Sequence, residues 1–307
     1  MTVAKRPSHR YALAFLILLL PAAAVLAEDK LRIYSVNYPL AYFAERLAGD
    51  LAEVHFPAPD DVDPAFWMPD AETIAAYQAA DLVLLNGADY AKWTTKVSLP
   101  RSRLVDTSRA FRDAYIRAAG AVTHSHGPGG EHDHGGLAFT TWLDLSQAAQ
   151  QAEAIAQALI GKRPDAKAQI ERNLDALKAD LLALDARIAE IASTDPDRPL
   201  LGSHPVYQYL ARRYGLNLNS VMWEPEEVPN AGQWAELEGM LKEHPATWML
   251  WEGEPAQANV DRLSALGIDS LVVDPCANRP AHGDFLSVMT ENSSDLERIF
   301  EHEGGEQ

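Results

Sequence analysis

The sequence predicts an α/β protein of two lobes, each a mostly parallel sheet covered by helices, joined by one long rigid connecting helix. Short strands alternate with helical segments in the first third of the chain, which is typical of parallel, helix-covered sheets. A helical period then runs through 165–193, roughly 43 Å at about 1.5 Å per residue, a length that suits a connector. Because strand–helix alternation resumes after this segment, we expect a second sheet.

Each element of this pattern has a local signal in the sequence. Runs rich in β-branched and apolar residues predict strands at 31–36, 52–57, 82–85, 217–222, 248–251 and 270–273. Apolar residues at helical spacing predict helices at 39–48, 70–80, 146–159, 165–193 and 231–243, and the segment 204–214 restarts the alternation.

The first 27 residues have the pattern of a secretory signal peptide. A basic region with Lys5, Arg6 and Arg10 precedes an apolar run, and small residues lead to a predicted cleavage before Glu28. We therefore expect export, most simply to a bacterial periplasm. The expected divisions are a signal peptide at 1–27, a first lobe at 28–164 with a His-rich loop at 123–136, a connecting helix at 165–194 and a second lobe at 195–307.

The charge balance and the cysteine count exclude several classes of function. The chain has 26 basic and 44 acidic residues, and three of the basic residues belong to the predicted signal. Such acidity argues against nucleic acid and anionic membranes as partners, since both attract positive charge. Cys276 is the only cysteine, so no disulfide forms within the chain. We expect a monomer stabilised by packing.

The densest chemical signal is a set of four histidines in a glycine-rich stretch at 123–136. His124, His126, His132 and His134 form the pattern H-x-H-x₅-H-x-H and are four of the ten histidines in the chain. Neutral imidazole is a common ligand for zinc, copper and nickel, and glycine-rich backbone can wrap a cation. The pattern indicates a metal-binding loop, with a flexible polar loop as the alternative.

Several short motifs follow one another along the chain: Asp63-Pro64 with Pro69, 80–88 with Trp93, Trp142-Leu-Asp144, 204–210 with Tyr214-Gly-Leu216, Asp274-Pro275 and 284–289. In this order and spacing they resemble the solute-binding proteins of zinc and manganese ABC transporters, over nearly the whole chain after the signal. The resemblance implies two α/β lobes joined by a long helix, and one metal held between the lobes. It also implies an inner-membrane ABC permease as the partner.

Two of the four metal ligands that the resemblance implies are missing. Members of the family usually place three histidines and one carboxylate on the metal, and the matching positions here are Ala65, Thr140, His204 and Asp274. Alanine cannot bind a metal, and a threonine hydroxyl is a poor ligand for zinc. Additional candidates near the site are Glu252, which follows a predicted strand, Cys276, and Thr140 itself.

Three interpretations of the missing ligands stay open. In the first, the His-rich loop supplies replacement imidazoles to the cleft. In the second, the cleft binds a metal chelate or metallophore, and Phe66, Trp67 and Trp142 provide the apolar contact surface. In the third, the cleft site is degenerate and the loop is a low-affinity metal sink. Each makes the protein a binder of a divalent transition metal, Zn²⁺ first, with Mn²⁺ and Fe²⁺ as alternatives.

An enzyme is the remaining alternative. A zinc ion with an open position can activate water, and His204, Asp274 and Glu252 would then form a hydrolase site. The sequence has no H-E-x-x-H or G-x-S-x-G motif, so we expect binding without catalysis.

Overall fold

The computed structural model describes residues 1–2, 29–117, 123–125, 131–133 and 136–301. For 123–125 and 131–133 the description covers the backbone alone. The expected signal peptide at 1–27 therefore lies outside the described residues, apart from the first two. Every helix in the described part of the chain is too short or too polar to span a membrane.

The first lobe is a four-stranded parallel sheet with helices packed on it. Its strands are β1 (Leu31–Ser35), β2 (Ala52–His55), β3 (Leu82–Leu85) and β4 (Leu104–Asp106), in the order β2-β1-β3-β4. Its helices are α1 (Tyr38–Ala48), α2 (Ala71–Ala79) and α3 (Leu145–Lys162). Helix α1 starts where the Asn37 side chain accepts a hydrogen bond from Leu40 N, and it ends at Gly49, whose φ is 52°.

The His-rich segment, which lies between β4 and α3 in the chain, contains a short antiparallel hairpin. Its strands are β5 (Thr123–Ser125) and β6 (Glu131–Asp133), and their register places His124 opposite His132. The side chains of both residues, and the whole of His126 and His134, lie outside the described residues.

The connecting helix is α4, which spans Lys167–Ala192 and has 26 residues. The expected span of 165–194 is slightly longer, because a short 3₁₀ turn at Pro164–Ala166 precedes the helix. Leu177, Leu181 and Ile188 are buried on one face, at helical spacing. The helix packs against α3 and α1 of the first lobe.

The second lobe repeats the architecture of the first. Its strands are β7 (Pro199–Gly202), β8 (Asn217–Ser220), β9 (Trp248–Trp251) and β10 (Asp269–Val272), all parallel, in the order β10-β9-β7-β8. Its helices are α5 (Gln208–Tyr214), α6 (Ala231–Met240), α7 (Gln257–Ala265) and α8 (Phe285–Glu301). Helix α8 packs against α4, so the connector contacts both lobes. These two parallel sheets confirm the predicted fold class.

Hydrogen bonds join the two lobes at several points. The indole nitrogen of Trp142 donates to Pro275 O at 2.7 Å, and the Tyr209 hydroxyl donates to Ala138 O at 3.1 Å. On another edge, Asn278 Nδ2 donates to Pro59 O at 2.7 Å. Because these bonds join backbone carbonyls to side chains across the interface, the lobes have a defined relative position.

Candidate metal centre

Three potential metal ligands come from loops that follow adjacent strands of the second sheet. His204 follows β7 by two residues, Glu252 comes directly after β9, and Glu224 lies four residues beyond β8. The carboxyl ends of parallel strands meet at one edge of a sheet, where open α/β sheets bind their ligands. Because β9, β7 and β8 are neighbours in the strand order, the three side chains meet at this edge.

Backbone hydrogen bonds beyond the strand ends fix the three loops against each other. Ser203 N donates to Leu250 O at 2.8 Å, which keeps the β7 loop beside the end of β9. On the other side, Trp223 N donates to Ser203 O at 2.7 Å. These two bonds place the residues next to them, His204 and Glu224, side by side.

The three side chains can share a single metal ion. Nδ1 of His204 lies 3.0 Å from Glu224 Oε1 and 3.9 Å from Glu252 Oε1, and one ligand atom from each residue falls within 4.8 Å of the others. Ligand atoms at zinc bond lengths are about 3.3 Å apart on a tetrahedral ion. The spacing in the centre is therefore close to that of a bound ion and needs only rotamer adjustments.

The electrostatics of the centre favour a cation. Burial raises the pKa of Glu252 to about 8; His204 opposes this rise, while the charges of Glu224, Asp63 and Glu226 add to it. Burial lowers the pKa of His204, but the hydrogen bond to Glu224 and the charges of Glu252 and Asp63 outweigh it, so this pKa is raised. The carboxylates around His204 and Glu252 contribute to both shifts, and a divalent ion bound between them would offset this negative charge.

The carboxylate that the resemblance places on the metal has a different environment. Asp274 follows β10, the edge strand, and its Oδ1 accepts a hydrogen bond from Cys276 N at 2.7 Å. Burial raises its pKa. The group of three ligand atoms within 4.8 Å contains His204, Glu224 and Glu252, and Asp274 is outside it.

Three further positions singled out in the sequence, Cys276, Thr140 and Ala65, are buried. Cys276 is buried, and burial raises the pKa of its thiol so far that it stays protonated at neutral pH. Thr140 is buried, and its hydroxyl donates to Val206 O across the cleft. Ala65 is also buried, with its backbone N–H bonded to the Asp63 carboxylate.

A cavity of about 60 Å³ lies between the lobes. Its walls include Phe66 and Phe139 from the first lobe and Pro205 and Val206 from the second. Phe66 thus borders this cavity. Trp67, which is also expected to line the cleft, is half-buried and is not part of the cavity wall.

The expectation that Trp142 lines the cleft is wrong. Its side chain is fully buried, with Tyr90 packed against its ring and its N–H bonded to Pro275 O. The indole is therefore part of the contact that joins the lobes, and it offers no surface to a ligand.

Comparison with known proteins identifies the family. The family model described as ZnuA, zinc-uptake complex component A, periplasmic, matches residues 33–299. The chain belongs to this family. Among curated relatives, the zinc-binding lipoprotein AdcA of Streptococcus pneumoniae is 28% identical over 290 residues, which are 91% of this chain and 57% of AdcA. The high-affinity zinc uptake system protein ZnuA of Bacillus subtilis is 25% identical over 249 residues, covering 77% of this chain and 75% of that protein.

Solved structures share the two-lobe fold with this ZnuA-family chain. The Zn(II)-bound ZnuA-like domain of S. pneumoniae AdcA has a TM-score of 0.75 at 24% identity, over 89% of this chain and 99% of that domain. FpvC of P. aeruginosa in complex with Ni²⁺ has a TM-score of 0.72 at 20% identity, over 91% of this chain and all of that one. The match with AdcA thus spans little more than half of the length of that relative, 57%.

Proposed function

We propose that this ZnuA-family protein is the solute-binding component of a metal ABC importer. In this proposal it captures a divalent transition metal, zinc, outside the cytoplasmic membrane and delivers it to a membrane permease. The observation that carries the proposal is the group formed by His204, Glu224 and Glu252 at the cleft edge of the second sheet. Family membership over residues 33–299 supports transport as the context for metal binding.

Binding itself is the whole chemistry in this proposal. A metal ion displaces the proton shared by His204 and the neighbouring carboxylates, and the three deprotonated groups then coordinate it. The surrounding acidic surface raises the local concentration of cations. We assign no catalytic role to the centre, and we propose that the protein acts as an exported monomer with the permease as its partner.

Zinc should bind more tightly than manganese. We expect a ratio of dissociation constants of at least about tenfold, because an imidazole ligand favours zinc and manganese prefers an all-oxygen shell. The relatives include zinc-binding AdcA and a manganese-binding lipoprotein, PsaA of S. pneumoniae, so the choice must come from the site. Competition between the two ions, measured by calorimetry with the intact protein, tests this preference. Tighter binding of manganese would overturn the assignment of zinc.

The His-rich loop should form a separate, weaker class of sites. The three-residue centre is built from second-lobe strands alone, so deletion of 123–136 should remove weak sites and leave the tight site in place. Calorimetry on the deletion, on His204→Ala and on the combined variant should give additive losses with separate stoichiometries. A full-length loop with asparagine at positions 124, 126, 132 and 134 is the matched control for loop length. Strong non-additivity would instead mean that the loop completes the cleft site.

A further inference from the structure

We propose that Thr140 and Tyr209 are positioning residues that form a latch between the lobes, hold His204 in place and slow the release of the metal. The latch consists of their two hydroxyl groups, each of which is hydrogen-bonded to the backbone of the opposite lobe. This inference rests on the proposed function, since it concerns how the same centre keeps its metal. The three grouped ligands belong to the second lobe, and the latch gives the first lobe control over how long the ion stays bound.

Thr140 holds the turn that carries His204 from the side of the first lobe. Its hydroxyl is buried and donates to Val206 O, while Val206 N donates to His204 O at 2.9 Å. The turn is therefore closed on itself and tied to the opposite lobe at the same residue. Because Val206 is only two residues from His204, a displacement of its carbonyl also displaces the imidazole.

Tyr209 makes a second connection between the lobes, five residues after His204. Its side chain is fully buried, and its hydroxyl donates to Ala138 O at 3.1 Å and accepts from Ile116 N at 3.2 Å. Ala138 N also donates to Ile116 O at 2.9 Å, so the hydroxyl lies where two first-lobe segments pair. One phenol group thus joins the second lobe to two backbone groups of the first.

Helix α5 fixes the far end of the segment that begins at His204. In its last turn the Arg213 guanidinium forms a bidentate ion pair with Asp185, a buried residue of the connecting helix, with Nε 2.8 Å from Oδ1. The Tyr214 hydroxyl donates to the same carboxylate at 3.0 Å. Loss of the latch would therefore leave the Arg213 end in place and release the end that carries His204.

The latch should act on metal release rather than on metal capture, because its hydrogen bonds exist only while the lobes are in contact. Separation of the lobes must break the bonds of Thr140 and Tyr209 before His204 can move away from Glu224 and Glu252. One hydrogen bond of this kind contributes roughly a two- to tenfold factor to an equilibrium constant. Removal of either hydroxyl should therefore change the lifetime of the bound ion by a measurable factor.

The test measures the dissociation and the association of zinc separately, by stopped-flow mixing of the full-length protein with a zinc-sensitive chelating dye. Tyr209→Phe and Thr140→Val each remove one hydroxyl and keep the shape of the side chain. Each should raise the dissociation rate constant at least about threefold, because each removes cross-lobe hydrogen bonding. The association rate constant should stay within about twofold of its original value, because capture precedes formation of the latch.

Two further variants serve as controls for the loss of a buried hydroxyl. Tyr77 is also fully buried, and its hydroxyl donates to Ser35 O at 2.7 Å, but both of these residues belong to the first lobe. Tyr77→Phe should therefore lower thermal stability without changing zinc dissociation. Thr140→Ser keeps the hydroxyl and should release zinc as slowly as the unmodified protein. If Tyr209→Phe fails to fold, the comparison of Thr140→Val with Thr140→Ser still decides the question.

The outcomes separate the latch from the proposed function. Unchanged dissociation in Tyr209→Phe, or an equal acceleration in Tyr77→Phe, would overturn the latch and leave metal capture intact. Acceleration in Thr140→Val alone would also overturn it, since that hydroxyl would then act on the metal directly. An unmodified protein that binds no zinc would overturn metal capture itself. Faster dissociation in both latch variants, with association and both controls unchanged, would support the latch.

Discussion

Replacement of His204 by alanine should lower the affinity for zinc by at least about a hundredfold. Loss of a residue that only orients a metal ligand typically costs about ten- to a hundredfold in affinity, and loss of the single imidazole of the group should exceed that. The carboxylates of Glu224 and Glu252 would then face each other without the group that separates their charges. Calorimetry with a competing chelator, at a pH above 8 where the site is deprotonated, measures the change.

Matched variants make this result specific. His282→Ala removes an exposed histidine of the same lobe and should leave zinc affinity unchanged. Glu224→Gln and Glu252→Gln should each weaken zinc binding, whereas Glu254→Gln, at an exposed position near Glu252, should not. Thermal unfolding of each variant shows whether it is folded. Unchanged zinc binding in His204→Ala would argue against the centre and would also remove the basis for transferring the family's ligand position to this chain.

Most of the fold can be predicted from the sequence because the responsible signals are local. The strand at Trp248–Trp251 agrees with its expected bounds, and the long helical period at 165–193 corresponds to α4. Strand β4 was not expected, because Leu104–Asp106 is a three-residue edge strand with no alternation to detect. Helices α7 and α8 were also missed; α7 is short, and the Asn and Ser residues within α8 weaken its intrinsic helix preference.

The candidate metal centre is only partly predictable from the sequence because it depends on strand order. His204 and Glu252 were candidates from their positions after strands, whereas Glu224 was not. Glu224 stands in the run Trp223-Glu-Pro-Glu-Glu227, which has the composition of an exposed acidic turn. What brings it to His204 is the placement of β8 beside β7 and the bond from Trp223 N to Ser203 O. Neither contact leaves a mark in the local sequence.

The strand order also bears on the expected pairing of His204 with Asp274. The resemblance paired His204 with Asp274, which follows β10. In the sheet, β9 lies between β10 and β7, so Glu252 rather than Asp274 follows the strand adjacent to β7. A centre built within the second lobe would not need the first-lobe histidines that the resemblance implies at the positions of Ala65 and Thr140.

Zinc affinity should fall as the pH is lowered from about 8.5 to about 6, a window higher than free histidine would give. Burial and the neighbouring charges raise the pKa of Glu252 to about 8, so below that pH zinc must displace a proton from this carboxyl group. The pKa of His204 is raised above its ordinary 6.5, so its proton competes with zinc in the lower part of the window. Both groups bind protons more tightly than usual, so both effects have the same sign: lower pH, weaker binding.

The size of this effect follows from the proton competition. A ligand with a pKa of about 8 alone reduces affinity roughly fiftyfold between pH 8 and pH 6, and His204 adds to this loss. Calorimetric titrations at half-unit intervals, in buffers of different ionisation enthalpy, measure affinity and released protons together. Glu252→Gln should flatten the upper part of the profile and leave the part governed by His204. A profile centred on pH 6.5 with one released proton would mean that Glu252 does not bind the metal, and a flat profile would argue against His204 as well.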